Sequence, residues 1–228
     1  MSGDVLALVR LLQLASPALP IGAYSYSQGL EWMIDRRAIR DAATAGEWIG
    51  DVLEHVIAQG ETPVLWRLLE AAADRHAARF AEWNVWYRAS RESRELRAET
   101  EQMGASLIQL ATDLDVLDDA AIRIARDGAP VTLPAAYALA ATGLRIPPEA
   151  ALTGYVASWL ENQVLAAIKA LPLGQVAGQR LLHALGARVP QVVARAKMRA
   201  DDDIASFAPG LALASAFHET QYSRLFRS

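Results

Sequence analysis

The sequence predicts an all-α protein: a single compact bundle of about ten helices spanning residues 1–228. Three observations carry this. Alanine and leucine are abundant, and both favour helix over strand. Apolar residues recur at three- and four-residue spacing, while period-two alternation is rare. Proline and glycine stand between the periodic stretches, where helices start and stop. With 228 residues, 53% of them hydrophobic, the chain can build its own core. A domain of this size buries roughly 70% of its unfolded surface.

Each element follows from local signals. Val5, Leu8, Val9 and Leu12 make an opening stripe, with Asp4 as its expected N-cap. Residues 16–26 read as a loop punctuated by Pro17, Pro20 and Gly22. Ser25 or Ser27 is expected to cap a short helix carrying Leu30, Trp32, Met33 and Ile34. Thr44 is expected to cap the next, through Ile49, Val52 and Val56, with Gly60 as its stop. Thr62-Pro63 is a start signal, because proline at the first helical position lacks only an N–H that has no partner there. Helices over 76–89, 90–114 and 118–126 follow. Thr132 with Pro134, Pro147-Pro148, Gly174 and Pro190 open later ones, and a last helix begins near Gly210 and fades into the tail. The count is ten or eleven, joined by short links. No linker marks a domain boundary and no repeat suggests a solenoid.

Composition excludes several chemistries. There is no cysteine, hence no disulfide framework, thiolate metal site, iron–sulfur cluster or cysteine nucleophile. Only four histidines are present, so neither a metal site nor a cofactor is expected. A net charge of −4 and a pI near 5.6 argue against nucleic-acid binding. Residues 11–30 are uncharged but broken by Pro17, Pro20, Gly22 and Gly29, so no membrane span is expected. Met1-Ser2-Gly3-Asp4 has no positive n-region, and a cytoplasmic location is expected.

Catalytic motifs are incomplete. Neither Lys169 nor Lys197 sits in a phosphate-loop frame. His218-Glu219-Thr220-Gln221-Tyr222 begins like a zinc-protease helix, but Tyr222 stands in place of the second histidine. His55, His76 and His183 are isolated. Gly22-Ala23-Tyr24-Ser25 is not a nucleophile elbow. No carboxylate pair in apolar surroundings presents itself as acid and base, and Asp201-Asp202-Asp203 reads as a solvated loop. The chain is not expected to be an enzyme.

Three segments carry residues that a simple bundle does not need. In residues 16–31, Tyr24 and Tyr26 sit two apart between stiffening prolines and permissive glycines. This is either a loop plugging the core or a partner surface. In residues 159–169, Glu161, Asn162 and Gln163 interrupt an apolar helix and fan over more than half its circumference. At least one must face a semi-buried place, either a hydrogen-bonded core position or a subunit interface. Residues 218–228 offer Tyr222, Leu225 and Phe226, which share one face if the segment is helical, together with Arg224 and Arg227. An apolar, aromatic terminus suits ordering on a partner, or it folds back on its own domain.

At these segments the sequence resembles the UreF family of urease accessory proteins. Leu11-Leu12-Gln13-Leu14-Ala15 with residues 16–31 is similar to the family's N-terminal signature, and residues 218–228 to its C-terminal one. Glu61-Thr62-Pro63, Ser90-Arg91-Glu92, Glu95-Leu96-Arg97 and Gln102-Met103-Gly104 resemble its middle blocks. Residues 158–167, 172–175 and Gly178-Gln179-Arg180 resemble later ones. The chain departs at Phe217, where members often carry arginine, and at Ala212 and Ala216.

The resemblance implies an all-α homodimer and a non-catalytic chaperone role in nickel insertion into urease. It implies an adaptor that bridges the urease-binding subunit UreD (also called UreH) and the GTPase UreG, delivering nickel to apo-urease. The tail residues His218, Glu219, Gln221, Tyr222, Arg224, Leu225, Phe226 and Arg227 are then expected to dock on UreD. Tyr24, Tyr26, Ser27, Glu31, Asn162, Gln163, Lys169 and Arg180 are expected to serve the UreG-facing or dimer surface. The alternative is a regulator that activates UreG with an arginine in trans, Arg180 or Arg224 being the first candidates.

Overall fold

A computed structural model describes residues 2–228, with side chains from Asp4 onward. The described residues form twelve α-helices and no strand, so the expected fold class holds. In order they are α1 (Ser2–Leu14), α2 (Leu30–Asp35), α3 (Ala42–Val52), α4 (Thr62–Ala73), α5 (Ala77–Ala89) and α6 (Arg94–Asp113). Then come α7 (Asp119–Arg126), α8 (Leu133–Gly143), α9 (Pro148–Ala170), α10 (Gln175–Gly186), α11 (Val189–Met198) and α12 (Pro209–His218). No helix of the described residues is long and apolar enough to cross a membrane.

Helix α8 runs through the interior, with every residue from Pro134 to Ala141 buried. It is apolar on all sides, which suits a helix wrapped by others. Its alanines let α4 and α6 approach closely. Gly104 of α6 is required for the same reason. A Cβ there would lie 2.2 Å from the Val131 carbonyl oxygen. Helices α4 and α9 pack against each other, and α11 bridges them. Arg67 of α4 is buried, donating to the Ala196 and Arg199 carbonyls and to Asp201 at 2.8 Å.

Several local expectations are corrected. Gly60 does not stop a helix. A π-helical stretch, Leu53–Glu61, joins α3 to α4 without a break. The Thr62 amide reaches back to the Ile57 carbonyl, and the Thr62 hydroxyl donates to that same oxygen at 2.8 Å rather than capping. The widened turn lets Pro63, which has no N–H, sit inside a continuous helix. Gly60 is needed instead for contact, since a Cβ there would come within 3.2 Å of Ser206 Cβ. Asp41, not Thr44, is the N-cap of α3, and Thr44 completes a capping box with it. Helix α6 begins after Ser93, whose side chain accepts from the Leu96 amide at 3.0 Å. Asp4 lies in the first turn of α1 instead of capping it.

Two corrections bear on function. The stripe Val5, Leu8, Val9 and Leu12 faces solvent. The opposite side of α1 carries the packing. Leu11 seats against Gly154 of α9, where a Cβ would lie 2.6 Å from Leu11 Cδ1. Arg10 Nη1 donates to the Leu144 carbonyl at 2.9 Å. At the other end, α12 stops at His218 and the tail continues as irregular chain. Tyr222, Leu225 and Phe226 therefore do not share a helical face.

Candidate binding site

The three segments meet. Gly29 begins α2 with φ +78°, and α12 lies directly on it, with Ala214 Cβ 3.0 Å from where a Cβ would stand. Both the positive φ and the close approach require glycine. This contact places α2, α12 and the start of α6 side by side. Ser93 and Ser215 share a hydrogen bond of 2.6 Å across that junction. Trp32 of α2 stacks on Phe217 of α12 with centroids 5.2 Å apart, so the departure at Phe217 has a packing partner.

Carboxylates on α2 and α6 hold the tail. His218 is fully buried, with Nδ1 2.7 Å from Glu95 and Nε2 3.2 Å from Glu31. The imidazole thus lies between a carboxylate of α6 and one of α2. The two oxygens of Glu31 accept from the backbone amides of Leu225 (2.6 Å) and Phe226 (2.9 Å). Arg224 pairs with Glu95 at 2.8 Å, and Glu219 accepts from the Arg94 amide at 2.9 Å. Charge-assisted bonds of this kind are about twice as strong as neutral ones.

The loop completes the clasp. The Ser27 amide and hydroxyl both donate to the Ser228 carbonyl, at 2.7 and 2.5 Å. The Arg227 amide donates to the Ser25 carbonyl at 2.7 Å. Tyr26 is buried and donates to Gln102 at 2.7 Å. Its phenol is pushed above the usual range by burial and by Glu99, against the pull of Arg227. From α9, Asn162 donates to the Tyr26 carbonyl at 3.2 Å, and Trp159 and Gln163 donate to Gln28 at 2.8 and 3.3 Å. The polar interruption in α9 thus faces the loop. Lys169 Nζ lies 5.5 Å from the Tyr24 ring and 6.0 Å from the Phe226 ring, a cation–π setting for both.

What remains outside is a short knuckle. Tyr222 and Leu225 are exposed, with Tyr24, Lys169 and Arg227 also at the surface. Phe226 and Ser228 are buried anchors. Gln221 folds onto the Ser223 carbonyl at 2.9 Å. Arg180 stands apart from this cluster, lining a shallow groove with Ala42, Ala43, Ala177 and Leu181.

Below the clasp lies a partly open cavity of about 70 Å³, walled by apolar side chains such as Leu14, Ile21 and Met103 and by Glu61, Arg91 and Glu99. Glu61 accepts from the Tyr155 hydroxyl at 2.5 Å, and Arg91 lies 3.5 Å from it. Arg91 also stacks over Tyr87 at 4.3 Å, and its Nε finds no partner. Glu99 accepts from Ser228 Oγ at 2.6 Å and from Gln28 at 2.8 Å. Burial raises its pKa to about 7, ahead of the two hydrogen bonds that oppose this, and Glu61 adds to the rise. Sequence reading missed Glu95, Glu99 and Gln28. Glu95 and Glu99 stand one turn apart on α6, and Glu99 shares a face with Leu96, Met103 and Leu107, all buried. A carboxylate on the apolar face was the available signal.

Fold and site together define an all-helical protein whose distinctive feature is a tail clasped by its own domain, with an aromatic knuckle turned outward. A sequence profile of the UreF family matches residues 39–186. The chain is 53% identical to the urease accessory protein UreF of Azoarcus sp. (strain BH72), over all of this chain and 98% of that one. It is 50% identical to the UreF of Janthinobacterium sp. (strain Marseille), over 97% of this chain and 98% of the relative. It is 52% identical to that of Cupriavidus metallidurans, over 97% of each. The chain belongs to the UreF family.

Proposed function

We propose that this chain is a cytoplasmic urease maturation factor, a homodimeric adaptor joining UreD to UreG so that nickel reaches apo-urease. The observation that carries the reading is similarity over essentially the whole chain to proteins named urease accessory proteins. The geometry supplies the surface. The tail is the UreD-docking element, with the Tyr222 and Leu225 side chains as its contact. Docking needs little ordering of the tail, because its backbone is already held by Glu31 and Ser25. Tyr24 and Lys169, beside the anchored Phe226, form the neighbouring surface for UreG.

The reading of a UreG activator is less favoured. Arg224 is paired with Glu95 and would have to give up that ion pair to insert elsewhere. Co-expression with UreD and UreG, followed by size-exclusion chromatography with light scattering, tests the adaptor. A ternary complex that loses UreD on Tyr222→Ala with Leu225→Ser supports it. Absence of any complex with either protein overturns it. Acceleration of UreG GTP hydrolysis lost on Arg180→Ala would instead establish the activator.

A further inference from the structure

No described hydrogen bond joins residues 17–21 to another element of the fold. Their bonds stay within the loop. The Ala18 amide donates to Ser16 Oγ at 3.2 Å, the Leu19 amide to the Ser16 carbonyl at 3.0 Å, and the Ile21 amide to the Leu19 carbonyl at 2.8 Å. The chain on either side is fixed. Before it, the Ser16 amide reaches the end of α1 at the Gln13 carbonyl. After it, the 3₁₀ turn Ala23–Ser25 packs on α9, and the Ser25 carbonyl accepts from the Arg227 amide. Pro17 and Pro20 lock their own φ at about −65°, which stiffens the five residues into one plate. Gly22 follows with φ +81°, and nothing lies within 4 Å of where its Cβ would stand. The chain is free to turn there. A segment with so few crossing hydrogen bonds opens at low cost.

The plate stands between two spaces. On one side, Ile21 lines the cavity that holds Glu61, Arg91 and Glu99. On the other, Leu19 lines a groove of about 350 Å³ between α1, α6 and α8, together with Leu107, Leu110, Leu114 and Leu144. Leu14, at the foot of the loop, borders both. The groove is mostly apolar, its polar side chains being Arg10, Gln13 and Asp115. Part of it is bare, since Leu114 is more than half exposed. Sinking Leu19 and Ile21 into the groove would cover Leu110 and Leu114 and uncover the cavity. Each position buries one apolar surface and bares another, so the hydrophobic gain of one offsets that of the other. Packed side chains switch between discrete arrangements of this kind rather than deform smoothly.

We propose that residues 17–21 are a lid with two seats, one closing the cavity at Glu99 and one, in the groove at Leu110 and Leu114, opening it to water. The consequence reaches the tail. Glu99 is tied to Ser228, and water admitted beside it competes for that bond. The chain has no cysteine, so one thiol at a time can be placed in the full-length protein. Met103→Cys lines the cavity, while Ala138→Cys, fully buried in α8, is reached only by global unfolding. With an excess of a small methanethiosulfonate, Met103→Cys should react roughly tenfold faster than Ala138→Cys, or more. Leu114→Trp fills the groove from an exposed position. It should slow the Met103→Cys reaction roughly fivefold, with a melting temperature close to that of wild type. Thr100→Cys, on the wall of the same cavity, carries the same comparison if Met103→Cys does not fold. A cavity thiol that reacts no faster than Ala138→Cys overturns the lid. Fast labelling that Leu114→Trp leaves unaltered overturns it too, since the cavity is then reached without movement into the groove.

Discussion

Ser228 and Glu99 meet at 2.6 Å although 129 positions separate them. The bond ties the tail to the second turn of α6. Around it, Glu31, Glu95 and Glu99 all turn their carboxylates onto the tail or onto His218. The tail is thus part of the domain's polar interior, while Tyr222 and Leu225 stay exposed.

Glu99 makes stability depend on pH. Its pKa rises from 4.5 unfolded to about 7 folded. The native state therefore holds this proton more tightly than the unfolded chain does. The stabilisation is complete below about pH 4.5 and is lost as pH climbs through 7. The difference is on the order of 3 kcal/mol. Glu99→Gln should remove this slope, so its stability relative to wild type should improve between pH 5 and 8. Urea denaturation at a series of pH values reads it. A constant difference across that range would refute the assignment.

Glu31→Gln should loosen the tail without unfolding the helices. It replaces charged acceptors at the Leu225 and Phe226 amides, worth about 2 kcal/mol. Hydrogen exchange at those two amides should accelerate at least tenfold, while exchange in α8 stays slow. Equal acceleration in α8 would show a global effect instead.

Removing residues 222–228 is expected to lower the melting temperature. It takes the Leu225 and Phe226 amides from Glu31, the Ser228 hydroxyl from Glu99 and the Ser228 oxygen from the Ser27 amide, and a lost hydrogen bond of this kind costs about 1–3 kcal/mol. Tyr222→Ala with Leu225→Ser touches only exposed side chains and should change the melting temperature by no more than a degree or two. Thermal melts of the two variants side by side distinguish anchor from knuckle.

Gly104→Ala should be strongly destabilising. Alanine favours helix by about 1 kcal/mol over glycine, but its Cβ would meet the Val131 backbone at 2.2 Å. Main chain cannot swing aside as a side chain can, so the clash should win, at roughly 3 kcal/mol or more. A variant as stable as wild type in chemical denaturation would show that the segment at Val131 yields.

Much of this fold can be read from the amino acids because helix ends are chemically local. The proline and glycine signals at Pro134, Pro148, Gly174 and Gly210 each fall at a true boundary. Thr62-Pro63 does mark the start of α4, but the expected stop at Gly60 and cap at Thr62 fail because a π turn joins the two helices without a break, and five-residue hydrogen bonding has no local signature. The stripe of α1 is visible in sequence, but periodicity reports an apolar face and not what covers it. The site divides in the same way. Tyr24, Tyr26, Asn162, Gln163, Lys169 and the tail stand out because each sits oddly in its own neighbourhood. Glu99 is marked only by sharing a face with Leu96, Met103 and Leu107, and Glu95 not at all, since a carboxylate on a helix reads as solvated until long-range packing buries it. Arg180 looks suitable by type, yet α10 carries it to another face.

The seating of Ser228 also decides where a handle can be attached. Its carbonyl is bonded to Ser27 and the residue is fully buried. A reporter group attached to the Ser228 side chain would break the bond to Glu99, strain the one to Ser27, and so pry open the clasp it was meant to report on. The exposed loop at Gly128, whose φ of +97° and open surroundings leave room, is a gentler place for such a group.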